Sequence, residues 1–293
     1  MSKTWKTVAL LGAVGAYPFF EARRYGLDKV VVPVGPGVPE LDVLHISDLH
    51  LARRDARRAA FVASLPDRIG TCDLVLATGD LIEDNSGIDI AAEVLNAIEA
   101  RLGRAYVLGS HDYYQARFRS YAKYWAGGER AAIRAPRADS ERLESLLRDK
   151  GWIPLTNDSV VLESGRGDSG RNKKIRLAGV DDPYLGRQRT DHISRSGDEV
   201  FAIGLVHSPD VVSEWALAGF DLVVAGHTHG GQVRLPGIGA VVTNCSLPTG
   251  LSVGLNRVGG IWLHVSPGLG TGRFQPIRFN CPPRVTLLSL RRA

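Results

Sequence analysis

Five short clusters of aspartate and histidine recur along this chain of 293 residues, each placed directly after an apolar run. They are Asp48-Leu49-His50, Gly79-Asp80, Gly109-Ser110-His111-Asp112, His207 and Gly226-His227-Thr228-His229. The runs before them read as short buried strands, so each cluster sits where a strand opens into a loop. Rigid backbone behind and open space in front is what a metal site on an α/β scaffold needs.

The spacing between clusters fixes the architecture. From Leu41 the pattern alternates: a strand over Asp42–Ser47, a helix over Arg53–Leu65, a strand over Asp73–Thr78, a helix over Ile88–Leu102 and a strand over Ala105–Leu108. That order implies a parallel sheet with covering helices. A helix over Glu141–Asp149 follows, and Val160–Glu163 and Ile175–Val180 flank a turn-rich stretch and read as a hairpin. Ala202–Val206 and Leu222–Ala225 are strands ending at the last two clusters, and Gln232–Leu290 is a series of short strands separated by Gly and Pro. The predicted fold class is α/β, a four-layer α/β/β/α sandwich of two mixed sheets.

Two segments break the rhythm. Gln115–Pro136 carries Phe118, Tyr121, Tyr124 and Trp125 among arginines, and reads either as a surface excursion or as a lid or lipid-facing wall over the site. Thr7–Phe20 is apolar with basic flanks, short for a spanning helix and without a cleavage sequence. It reads as an uncleaved anchor or interfacial helix, with a helix packed on the domain as the alternative. Val30–Pro39 follows with prolines and glycines and reads as an extended linker. Residues 1–40 are therefore predicted as a hydrophobic anchor and linker, and 41–293 as the catalytic domain. The expected location is a cell membrane, face open, with the cytoplasm as the alternative.

Composition narrows the partners. A net charge of +5 suits an anionic substrate or membrane surface and is too small to argue for nucleic acid. Cys72, Cys245 and Cys281 form no Cys-x-x-Cys pair, so no zinc ribbon or redox dithiol is indicated; a Cys245–Cys281 disulfide is allowed but not demanded. No protein partner is implied.

Asp and His are ligands for borderline divalent cations such as Mn, Fe and Zn. Asp48 and His50, and likewise His227 and His229, lie two positions apart, on one side of extended backbone. One such pair is weak evidence; five clusters in order, each at a strand end, are specific. On these motifs, and on Ala178–Pro183 and Val265–Gly270, the chain resembles the calcineurin-like metallophosphoesterase superfamily over roughly Leu41–Leu290. It is most similar to the bacterial membrane-associated branch, which includes UDP-2,3-diacylglucosamine diphosphatase and small phosphodiesterases.

The resemblance implies two divalent cations. Asp48, His50 and His229 would bind the first, Asp80 would bridge, His207 and His227 would bind the second, and His111 would protonate the leaving oxygen. A metal-bridging hydroxide would attack a phosphodiester or pyrophosphate, lipid-linked or small-molecule. The family's usual amide ligand of the second metal is replaced by Ser110, a shorter and poorer donor, which predicts a weaker second site. Asp112 would orient His111 or its loop. Two other functions stay open: a nuclease or nucleotide phosphodiesterase, and a non-catalytic metal-binding interaction module on the same fold.

Other polar residues have weaker claims. His45 lies inside the first strand and reads as a satisfied core or supporting histidine. Asp181 and Asp182 read as a turn at the rim. Arg53, Arg54, Arg57 and Arg58 make the start of the first helix basic, which is unfavourable there and hints at phosphate or anionic headgroups.

Overall fold

The computed structural model describes residues 15–116, 135–166 and 172–293. Two six-stranded sheets stack face to face. The first has the order β1-β14-β2-β3-β4-β5, from strands Gly26–Val34, Arg284–Arg292, Leu41–Ile46, Cys72–Thr78, Ala100–Val107 and Trp152–Pro154. The second has the order β12-β13-β9-β8-β7-β6, from Gly254–Val258, Ile261–Val265, Leu222–Ala225, Phe201–Leu205, Asn172–Gly179 and Asp158–Arg166. Both are mixed: β2, β3, β4 and β5 run parallel while β14 is antiparallel to β2, and β7, β8, β9 and β13 run parallel while β6 and β12 are antiparallel at the edges. A two-stranded ribbon, β10 and β11, pairs Arg234–Leu235 with Gly239–Ala240.

Period-two alternation along the strands builds the layers. Val43, Leu74, Leu76 and Val107 point inward and meet Leu177, Ile203, Leu205 and Val224 of the other sheet in one core. The intervening Leu44, Ile46, Val75 and Ala77 face outward, under α2 (Ala56–Ala63), α4 (Ile88–Asn96) and α6 (Ser140–Arg148). On the far side Val223, Ala225 and Ala202 pack against Trp215 of α7 (Val212–Leu217). The four-layer sandwich is as predicted.

The boundaries differ in instructive places. The first helix breaks at Ser64 into α2 and α3 (Leu65–Ile69), with Pro66 near the start of α3. The helix expected to reach Leu102 stops at Asn96, because Ala100–Leu102 join β4 and pair beside Cys72–Leu74. The linker assignment for Val30–Pro39 and the domain start at Leu41 are corrected. Gly26–Val34 is the edge strand β1, paired in parallel with Arg284–Arg292 over its whole length. Residues 15–21 are helical (α1) and dock on the domain: Glu21 is buried and accepts the backbone amides of Asn280 and Cys281 at 3.1 and 2.6 Å. The start of the apolar run, residues 7–14, lies outside the described residues. No described helix is long and apolar enough to cross a membrane.

The centre of the Gln115–Pro136 excursion, residues 117–134, also lies outside the described residues. Its base is closed by amide bonds from Gln115 to the Pro136 carbonyl (2.9 Å) and from Ala138 to that of Tyr113 (2.8 Å). All three cysteines are free thiols.

Candidate metal centre

The clusters follow β2, β3 and β4 of one sheet and β8 and β9 of the other, so both sheets deliver their loops to one end of the sandwich. Beyond the strand ends the loops stay stitched together. Asp48 and His50 donate their amides to the carbonyls of Gly79 and Asp80, and Gly226 donates to His207. Asp48, His50, Asp80, His227 and His229 all take left-handed backbone, with φ between 44 and 68°. For residues other than glycine this costs roughly 1–3 kcal/mol each, strain that collects at functional sites. Gly226 makes the approach possible: a Cβ there would collide with Ser47 Oγ and the Asp48 carboxylate. At Gly109 it would strike Asp80 and the His207 ring.

Within this frame, ligand atoms of Asp48, His50 and His229 lie within 4.8 Å of one another, as do those of Asp48, Asp80 and His207. Asp80 Oδ2 stands 3.5 Å from His50 Nε2 and 3.4 Å from His207 Nε2. His229 Nε2 lies 3.2 Å from His50 Nε2 and 3.5 Å from Asp48 Oδ1. The His227 ring packs 5.1 Å from that of His207, while its Nε2 contacts the Asn244 carbonyl at 3.2 Å. Ser110 is buried at the first position of the short helix α5 (Ser110–Tyr113).

The hydrogen bonds behind these groups set their tautomers. His207 Nδ1 donates to the Thr78 carbonyl at 2.8 Å, which turns Nε2 toward Asp80; that atom is buried without a hydrogen-bond partner. His50 Nδ1 donates to Glu83 at 2.6 Å, again turning Nε2 inward. Acceptor atoms therefore converge from carboxylates and imidazoles in a nearly dry space, an arrangement complementary to cations. Burial opposes charge on His207, but the Asp80 carboxylate overrides it and holds this imidazole well above its ordinary value. Burial likewise raises Glu83, and the His50 hydrogen bond and charge outweigh it, drawing the carboxyl down to about 2.

His111 is partly exposed beside these groups, its ring edge-on to His50 at 4.6 Å. Its backbone amide donates to Asp80 Oδ1 at 2.7 Å, so Asp80 and His111 are positioned together. The Asp112 carboxylate accepts the amides of Leu81, Ile82 and Gly109 at 2.8, 3.1 and 2.9 Å and ties two ligand loops together. The orienting role expected of it acts on the loop. Asp182 accepts the Tyr184 amide as a turn residue, and Asp181 accepts Tyr113 Oη at 2.9 Å at the rim.

Three contributors escaped sequence reasoning. Glu83 is fully buried and bonds both His50 and the Arg273 amide; its only signal was an acid three positions after Asp80. Arg278, also fully buried, donates to the Pro267 carbonyl at 2.7 Å and lies 3.3 Å from His229 Nδ1. Thr78 links a buried relay. It donates to Ser47 Oγ (2.8 Å), which donates to Asp48 Oδ2 (2.6 Å), so Thr78 Oγ1 accepts from His45 Nε2 (2.8 Å). His45 Nδ1 then accepts from His264 Nδ1 at 2.8 Å, and every donor in the chain points toward Asp48. His45 is a satisfied core histidine, as expected.

Glu83→Gln keeps the shape of this contact and removes its charge. Metal affinity is expected to fall about 10–100-fold, the usual cost of losing a partner behind a ligand histidine, measured by calorimetric titration with Mn²⁺. Unchanged affinity would mean that Glu83 serves only packing.

The sequence model of the calcineurin-like phosphoesterases matches residues 41–231. The chain is 27% identical to an uncharacterized metallophosphoesterase of Bacillus subtilis, YkuE, over 92% of this chain and 85% of that protein. It is 29% identical to the phosphodiesterase YaeI of Escherichia coli over 49% of each chain. Among solved structures, a 5'-nucleotidase precursor from Thermus thermophilus aligns over 86% of this chain and 55% of that one, with TM-score 0.47 and 12% identity.

Proposed function

The chain belongs to the calcineurin-like phosphoesterase family, and from that premise we propose that it cleaves phosphodiester or pyrophosphate bonds at a dinuclear centre. That it is a metal-dependent hydrolase of phosphoric esters follows from the family. The finer reading rests on one observation above all: acceptor atoms of Asp48, His50, Asp80, His207 and His229 converge in two groups that overlap at Asp48. The residues fit cations because carboxylate oxygens and imidazole nitrogens face one another at the centre, where His207 Nε2 is buried with no hydrogen-bond partner.

In this reading Asp48, His50 and His229 hold one cation, Asp80 is shared, and His207, His227 and Ser110 hold the other. Bound divalent cations supply Lewis acidity, polarising phosphoryl oxygens and lowering the pKa of water toward neutrality. The chain's own residues do the rest. Glu83 and the Thr78 carbonyl fix which nitrogen of His50 and His207 faces inward. His111 stands at the open side, where it delivers a proton to the leaving oxygen, with Asp80 holding its backbone in place. A relative named as a phosphodiesterase supports a diester over a monoester. A lipid-type substrate and membrane association are supported by the apolar N-terminal run and by Phe19 and Phe20, 52% and 62% exposed on α1.

The test is turnover of mono- and diesters by chelator-stripped protein as Mn²⁺, Fe²⁺ or Zn²⁺ is restored. Activity should return with metal, reach its plateau near two ions per chain, and favour diesters by about tenfold, roughly 1.4 kcal/mol of transition-state discrimination. A plateau at one ion refutes the dinuclear centre, and a flat response to every metal refutes the hydrolase.

Ser110→Asn restores a longer amide donor. It is expected to tighten the second metal by about tenfold and shift the Mn²⁺ activation curve to lower concentration. Superimposable curves for the two proteins would show that Ser110 does not limit metal binding.

A further inference from the structure

The basic start of α2 has no part in the chemistry above. It opens instead onto a cavity of roughly 520 Å³ lined by Arg23, Arg54, Arg57, Arg58 and Arg273, with Phe19 and Tyr25 as apolar wall. One carboxylate lines the cavity, Asp55, and Arg58 takes it at 3.4 Å. Arg54 and Arg273 share Asp84 only at 3.9 and 4.0 Å. Arg23 and Arg57 are exposed and meet no acid among the described residues. Arg58 is buried: its Nη1 is committed to the carbonyls of Leu49 and His50 at 2.7 and 2.6 Å, while its Nε has no partner.

Five guanidinium groups around one cavity repel each other unless they share an anion. Their planar forks pair bidentately with phosphate oxygens, and several such forks around one cavity can share a single phosphate. The apolar wall continues onto a helix surface that exposes Phe19 and Phe20, and aromatic side chains beside basic ones suit the boundary between headgroups and acyl chains.

We propose that this cavity binds the phosphate of an anionic phospholipid, with Phe19 and its neighbour Phe20 reaching the acyl region. The site is separate from the metal centre but shares a wall with it. The Arg273 amide donates to Glu83 at 2.7 Å, the Gly270 amide to the Asp48 carbonyl at 2.6 Å, and Arg58 to the His50 carbonyl. A lipid held there brings the membrane surface alongside the hydrolytic site, whichever ester that site cleaves.

The test titrates the metal-loaded full chain with monomeric dihexanoyl-phosphatidylglycerol, dihexanoyl-phosphatidylcholine and inorganic phosphate by calorimetry. Arg23→Glu/Arg57→Glu should weaken phosphatidylglycerol by at least about tenfold while leaving turnover of bis-p-nitrophenyl phosphate unchanged. Phe19→Ser/Phe20→Ser should also weaken the lipid, and phosphatidylcholine should bind poorly throughout. The proposal fails if the arginine variant binds phosphatidylglycerol as the parent does, or if phosphatidylcholine binds equally well. It fails as a lipid site if inorganic phosphate binds the parent as tightly as phosphatidylglycerol does, or if the phenylalanines make no difference. A parallel fall in ester turnover would also overturn it, by placing the arginines in the catalytic fold.

Discussion

Asp80→Ala is expected to lower turnover by at least about 10³-fold, equivalent to roughly 4 kcal/mol of transition-state stabilisation. The size follows from how many jobs one carboxylate does. Oδ2 faces both His50 Nε2 and His207 Nε2, and Oδ1 accepts the amide of His111. Alanine removes the group shared by the two proposed cation sites and releases the backbone that carries His111, the proposed proton donor. Metal analysis should fall to one ion or fewer per chain. The stripped variant should also melt somewhat lower than stripped parent, because Asp80 is the charge partner of the buried His207 and accepts the His111 amide. A circular-dichroism spectrum matching that of the parent separates loss of chemistry from loss of fold. Full metal content with retained turnover would take Asp80 out of the shared position.

What the sequence disclosed and what it hid have physical reasons. The aspartate and histidine clusters were legible because the buried strands before them are largely apolar, so a cluster of ionisable residues closing each run marks the strand end. The four layers were legible from the same strands, since Leu74 and Leu76 face one core and Val75 and Ala77 the other. Glu99-Ala100-Arg101-Leu102 was misassigned to helix because its local propensity is helical and only pairing beside β3 overrides it. Glu83 and Arg278 were hidden because a single buried charge leaves no periodic trace; their partners come from loops up to 190 residues away. Ser110 was recognised as irregular, yet the structure adds that it starts α5 and is buried beside His111. β1 was the largest miss. Pro33, Gly35 and Gly37 gave it a linker's composition, and its partner strand lies at the opposite end of the sequence.

That correction yields the second large effect: a chain beginning at Leu41 should be recovered as aggregate or melt lower by about 10 °C. Val32 is 0% exposed and Val34 is buried beside it, both packed into the core between the sheets. Burying a valine fully is worth about 1.5–3 kcal/mol, so these two alone supply about 3–6. A domain of this kind has about 5–15 kcal/mol in all, and each kcal/mol moves its melting point by about 2–4 °C. Truncation also removes Glu21 from the buried Cys281 amide and takes the Pro33 carbonyl from Trp262 Nε1, which donates to it at 3.0 Å. It further turns β14 into a bare edge carrying Leu288 and Leu290, a template for pairing with other chains. A pair of point variants isolates the strand from the length of the chain. Val32→Asp places an unpaired charge in the core and should reproduce the truncation. Val31→Asp, at a position 59% exposed on the opposite face of the same strand, should stay within about 0.5 kcal/mol of the parent. Equal melting points for the two variants would return Gly26–Val34 to the status of a linker. A difference of the expected size makes residues before Leu41 part of the domain, and places the basic cavity and its aromatic helix on the catalytic body itself.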